Sequence, residues 1–192
     1  MIGRVQKCAD TKPQPLLPAS PSSGSVRLAG SRGWGFVSAH FCTRPIIASH
    51  WKTYLEGCAA AGRAPDPAHW RVARVIHVAR DAGEARAYFE DPAGPYHDFW
   101  RYLIGVLSRA GMLAMLKTDK AMPDAAVTPE YALRTFAICG DPAGVARQVR
   151  ELREEVGDFR GLVSLAIEFG DRAKILDSIS LLSHEVRPLL AA

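Results

Sequence analysis

Trp70-Arg71-Val72-Ala73-Arg74-Val75-Ile76-His77-Val78-Ala79 is the stretch on which the reading of the fold turns. Its apolar residues fall on both parities of the strand period, the mark of a strand covered on both faces. Such strands belong to parallel sheets, whose crossover helices lie on those faces. Asp81 follows as a helix cap, and the helix it opens is expected to reach Phe89.

Upstream, Trp34 to Phe41 is aromatic and β-branched, flanked by glycine and by Thr43-Arg44-Pro45, and reads as another strand. Between the two, Pro45 to Ala61 places Ile47, Trp51, Tyr54, Leu55 and Cys58 at threes and fours, which predicts a helix ending at Gly62. Further back, Leu16 to Ala19 reads as a short strand end, weakened by Pro18, which lacks a donor for the sheet ladder. A serine-rich turn, Ser20-Pro21-Ser22-Ser23-Gly24-Ser25, leads to a short helix from Val26 to Arg32.

Downstream, residues 91–133 break the rhythm and read as an insertion. Tyr96 to Met115 is expected to be helical and Thr118 to Pro129 a loop. Arg134 to Cys139 is a short apolar segment, strand or tight loop. Asp141-Pro142 sets an N-cap and a first helical proline for a helix to Val156. Gly161 to Ile167 reads as the last strand and Asp171 to Leu190 as the last helix. Four strand–helix units without a hairpin predict an α/β fold with a parallel sheet. A closed (β/α)8 barrel needs eight units, so four make an open sheet or half a barrel.

The composition narrows the function classes. A chain of 192 residues suits a single domain, and 48% hydrophobic against 23% charged residues excludes a mostly disordered chain. No apolar run approaches the ~18 residues of a membrane span. The net charge of +4 is spread among acidic residues, which reads as a solvated surface, with nucleic-acid binding the lesser alternative. Cys8, Cys42, Cys58 and Cys139 form no C-x-x-C pair, which excludes a zinc ribbon and a thioredoxin motif. Met1 to Lys12 lacks the apolar core of a secretory signal, so a reduced, cytoplasmic protein is expected.

Two groups of residues could carry chemistry. Ser22, Ser23, Gly24 and Ser25 sit between a strand end and a helix start, where hydroxyls and free N–H groups can hold an anion, phosphate above all. Gly24 would let the backbone approach a ligand closely. Without a ligand the same residues are an ordinary serine cap, and the local pattern alone favours that. His40 and His77 fall near the C-terminal ends of expected strands, as does Glu168, where α/β proteins place their sites. A lone histidine is more often a hydrogen-bonded structural residue. No metal-ligand spacing, dinucleotide fingerprint, phosphate-binding P-loop or nucleophile elbow is present.

Three stretches together carry a resemblance. They are Pro18-Ala19-Ser20-Pro21-Ser22-Ser23-Gly24 with Leu28 to Gly35, then His50-Trp51-Lys52-Thr53-Tyr54 with Ala61-Gly62-Arg63 and Trp70 to Arg74, and finally Ile138-Cys139-Gly140-Asp141-Pro142 with Val145 and the tail Glu185-Val186-Arg187-Pro188. In this order they resemble the C-terminal half of the bacterial luciferase-like, flavin-dependent monooxygenases, nearest the limonene-monooxygenase-like branch. The resemblance implies a partial (β/α)8 TIM barrel over a single, truncated domain 1–192, with the insertion at about 91–133. It implies reduced FMN, supplied by a flavin reductase, and O2 to oxygenate a small organic substrate, with the deazaflavin F420 as the weaker alternative. It places the flavin phosphate on the loop Ser22, Ser23, Gly24 and Ser25. It carries over no catalytic residue, because the strands that supply those groups precede this stretch. A homo-oligomer is expected, without nucleic acid or membrane. The competing reading is a non-catalytic flavin-binding or structural fragment.

Overall fold

The computed structural model describes residues 15–19, 24–167 and 170–191. The elements are β1 (Leu16–Ala19), α1 (Gly24–Arg32), β2 (Gly35–Ser38), α2 (Arg44–Ala60), β3 (Trp70–Val78), α3 (Ala82–Phe89), α4 (Pro95–Arg109), α5 (Pro129–Phe136), β4 (Ala137–Gly140), α6 (Pro142–Val156), β5 (Gly161–Leu165) and α7 (Arg172–Leu181). The last helix continues through a π turn, Leu182–Val186, into Arg187–Ala191.

Every strand pairing is parallel, as the absence of hairpin signals requires. β1 pairs β2, and β2 pairs the first residues of β3. Arg71 and Val72 pair with both β2 and β5, so those two strands flank opposite edges of β3. β1, β2, β3 and β5 thus lie side by side in chain order, as consecutive barrel strands do. Val75 pairs with both Ala137 and Leu165. β4 therefore shares an edge of β3 with β2, continuing the ladder where β2 stops. This fifth strand adds to the four expected.

The two parities of β3 feed two cores. Trp70, Val72, Ile76 and Val78 join Phe36, Ile47, Val149 and Leu152 beneath α2 and α6. Val75 joins the other core, with Trp100, Leu116, Leu133, Phe136 and Ile167. Residues 91–133 supply much of that second core. Both faces of β3 are covered, which explains its unbroken apolar run.

Local chemistry sets most element ends where the sequence places them. Asp81 accepts from the Glu84 N–H at 2.9 Å, and Asp141 from the Gly144 N–H at 2.7 Å. Gly157 closes α6 at φ +118°, a conformation that favours glycine. Two segments differ from expectation. The helix expected over Tyr96 to Met115 ends at Arg109, and Leu113–Leu116 is a separate 3-10 turn. Arg134, Thr135 and Phe136 end α5, and only Ala137–Gly140 is strand. Thr128 caps α5 through the Tyr131 N–H, Pro129 opens it, and Ala132, Leu133 and Phe136 form its buried stripe. The loop expected before it also contains a short 3-10 turn, Asp124–Ala126.

α1 is seated against α2 by close backbone approach. A Cβ on Gly30 would overlap the Tyr54 carbonyl, and one on Gly57 would overlap the Arg27 carbonyl. This contact fixes the start of α1 at the C-terminal end of β1.

Candidate functional site

Of the residues that the sequence singled out, Gly24, Ser25, His40 and His77 lie near the C-terminal ends of parallel strands. Ser22, Ser23 and Glu168 lie outside the described residues. Gly24 opens α1, and the Ser25 hydroxyl donates to the Pro18 carbonyl at 3.0 Å. That bond ties the first turn of α1 to β1, while the Ser25 oxygen keeps its capacity to accept. The first turn carries no acidic residue, so nothing there opposes a bound anion. A Cβ on Gly24 would meet nothing within 4 Å. The described residues therefore place no steric demand for glycine at this position.

His40 lies just beyond β2, packed against Phe41, Phe99 and Trp100 with ring centroids 5.0, 5.6 and 6.0 Å away. Its Nε2 is buried without a partner among the described residues. Burial, and then the Arg74 charge, push its pKa down to about 4. Arg74 is itself buried, and its guanidinium donates to the carbonyls of His40, Cys42 and Ala73. It thereby staples the β2–α2 turn to β3.

His77, near the end of β3, shares a 3.0 Å hydrogen bond between its Nδ1 and the Tyr96 hydroxyl. Its ring also packs on Tyr88 and Phe89. Burial first, then Lys174, depress its pKa to about 4, with Glu84 opposing. A cavity of about 90 Å³, room for a few waters, lies beside it between Lys174, Glu84 and Asp177. His40 and His77 are not bonded to each other or to a carboxylate among the described residues. Both are neutral at pH 7 and lean on the second core, the structural outcome expected of lone histidines.

Two arrangements escaped the sequence reading. His50 on α2 meets Ser38 Oγ through Nδ1 at 3.0 Å, and the Trp70 indole donates to the same oxygen at 3.0 Å. The indole proton occupies one acceptor position on Ser38, leaving the hydroxyl to donate to His50. All three residues are fully buried, so this Ser–His pair fastens the core and reaches no substrate. His97 lines a separate, larger cavity. Neither relation has a sequence signal, because the partners come from different elements.

No group of three or more His, Cys, Asp or Glu among the described residues could hold a metal ion. No helix among them is long and apolar enough to cross a membrane.

The parallel strands lie in the chain order of consecutive barrel strands. Residues 4–158 match the family described as luciferase-like monooxygenase. The chain belongs to that family. It is 29% identical over 184 residues to limonene 1,2-monooxygenase of Rhodococcus erythropolis, covering 91% of this chain and 43% of that protein. The FMN-bound oxygenating constituent of 3,6-diketocamphane monooxygenase, from the CAM plasmid of Pseudomonas putida, superposes at TM-score 0.77 with 28% identity. That match covers 91% of this chain and 48% of the other. The coenzyme F420-dependent tetrahydromethanopterin reductase of Methanopyrus kandleri shares the fold, at TM-score 0.54 and 20% identity over 90% of this chain and 50% of its own. The chain spans a little under half the length of the monooxygenases it matches. Four consecutive barrel strands with their helices are therefore half of a luciferase-like (β/α)8 barrel.

Proposed function

We propose that the chain serves as the C-terminal part of a flavin-dependent monooxygenase of bacterial-luciferase type, a single domain over residues 1–192 with its insertion at about 91–133. In this reading it uses reduced FMN and O2 to oxygenate a small organic substrate, with a flavin reductase supplying the reduced cofactor. The observation that carries it is the 0.77 superposition on a monooxygenase in complex with FMN, over 91% of this chain. FMN is preferred to F420 because the F420-dependent relative supports the fold alone. We assign the protein to the cytoplasm on the same reading.

Ser22, Ser23, Gly24 and Ser25 would hold the flavin phosphate at the start of α1. What supports this is the acid-free first turn at the end of β1 and the hydroxyl of Ser25 within it. Reduced FMN with O2 supplies the oxygenating chemistry when bound. In this reading Ser22, Ser23, Gly24 and Ser25 would hold the phosphate and so help to orient the flavin.

Replacing Ser22 and Ser25 by Ala in the complete enzyme is expected to weaken FMN binding by at least about tenfold, equivalent to ~1.4 kcal/mol. Riboflavin, which lacks the phosphate, binds both proteins alike. Fluorescence-quenching titrations of each protein with each flavin measure the difference. An equal loss for both flavins would reduce the loop to a helix cap and sink the assignment.

The outer edges of β1 and β5 pair with no strand among the described residues, and Leu16 and Val163 are exposed on them. Open edges bearing apolar side chains promote association. The chain is therefore expected to run as a dimer or larger homo-oligomer in size-exclusion chromatography with light scattering. A monomer across the accessible concentration range counts against this.

A further inference from the structure

A cavity of about 600 Å³ opens between α3, α5, β4 and α6, with neither Gly24 nor Ser25 in its walls. Its volume is in the range of sites for small organic molecules. Phe89 and Leu133, both buried, line its apolar side. Arg86, Arg134 and Arg147 line it from three different helices. Arg86 lies 4.0 Å from Glu90, and Arg147 lies 3.6 Å from Glu151. Arg134 alone of the three has no ion-pair or hydrogen-bond partner among the described residues.

His97, in the first turn of α4, also lines the cavity although only 2% exposed. Its Nδ1 lies 3.6 Å from Glu130 Oε1, beyond hydrogen-bond reach, and its ring makes no hydrogen bond among the described residues. The ring borders the cavity and so has hydrogen-bonding capacity to offer a ligand there. Of the carboxylates of the cavity wall, Glu90 faces Arg86, and Glu130 lies beside the His97 ring without a hydrogen bond to it. What is left over is one planar guanidinium, one under-bonded imidazole and an apolar floor.

We infer that this cavity binds a small organic carboxylate, its carboxylate on Arg134, its apolar body on Phe89 and Leu133, and its second polar contact on His97. The planar fork of arginine matches a carboxylate two bonds at a time. The apolar floor distinguishes an organic acid from an inorganic anion, which would leave that surface wet.

Benzoate is the probe, with benzyl alcohol as its uncharged counterpart and inorganic phosphate as the anion without an apolar body. Each is titrated into the 192-residue chain by calorimetry or by amide NMR. Benzoate is expected to bind saturably and at least about tenfold more tightly than benzyl alcohol or phosphate. Arg134→Gln is expected to remove that advantage while leaving benzyl alcohol unchanged. Arg134 is exposed and unpaired, so this variant keeps the fold. His97→Phe, which fills the same space without a polar contact, is expected to weaken benzoate several-fold. Absence of saturable binding at millimolar benzoate overturns the inference, as do equal affinities for acid and alcohol. Displacement of benzoate by an equal concentration of phosphate, or an unchanged benzoate affinity in Arg134→Gln, overturns it too. The outcome is read separately from the flavin titration, because the Arg134 and His97 variants leave Ser22 and Ser25 unchanged.

Discussion

Trp70→Ala is expected to destabilise the chain by about 3–5 kcal/mol, a large part of the ~5–15 kcal/mol that holds a domain together. Trp70 is fully buried where β2, β3, α2 and the segment before β5 meet. Its ring stacks on Trp51 at 5.2 Å and on Phe36 at 6.1 Å, and meets Phe159 edge-on at 5.9 Å. Truncation opens a cavity that these rings cannot close, since each is also held by other neighbours. It also deprives Ser38 of its indole donor and loosens the Ser38–His50 bond. Trp70→Phe keeps most of the ring contact and loses the hydrogen bond, so a smaller cost of about 1–2 kcal/mol is expected. Urea unfolding followed by circular dichroism measures both variants. A Trp70→Ala protein within about 1 kcal/mol of wild type would show that this cluster is not the centre of the fold.

Acid is expected to weaken the fold by several kcal/mol between neutral pH and pH 4, through His77 and His40. Both are held in the folded state with pKa values near 4, against an ordinary 6.5. The native state therefore binds fewer protons than the unfolded chain throughout that window. Stability is full above about 6.5, falls as the pH drops toward 4, and levels off below it as the folded histidines themselves charge. A shift of this size corresponds to about 3 kcal/mol for a single group, and His40, only half-buried, contributes less than His77. Unfolding free energies across that pH range test this. His77→Gln, whose side chain can still meet the Tyr96 hydroxyl, should flatten the pH dependence markedly. An unaltered slope in that variant would refute the assignment to His77.

The parallel α/β rhythm was legible because its signals are local, while the choice between an open sheet and half a barrel came only with the family resemblance. The apolar run of β3 stands out because both of its faces are covered, and the caps Asp81 and Asp141 announce the helices they open. Misreading Arg134 to Phe136 as strand or loop has an equally local cause. A short apolar segment carries no periodicity long enough to separate helix from strand. The cap that decides the matter, Thr128 before Pro129, sits in a stretch otherwise rich in turn formers. The candidate flavin loop was visible through its serines, and its Ser25–Pro18 bond came only from the packing of α1 against β1.

The sequence by itself determined the parallel α/β class, the order of strand–helix units and most element ends, because these depend on residues within one or two turns of each other. Tertiary structure alone decided that β4 and β5 take opposite edges of Val75, since an edge is chosen by competition between strands far apart in the chain. It alone brought Ser38, His50 and Trp70 into one buried hydrogen-bonded group. It alone set His97 and Arg134 around one cavity, with the imidazole short of a hydrogen bond and the guanidinium short of a charge partner. Burial and partnership are properties of the packed neighbours of a residue, and those neighbours come from elements that no local pattern connects.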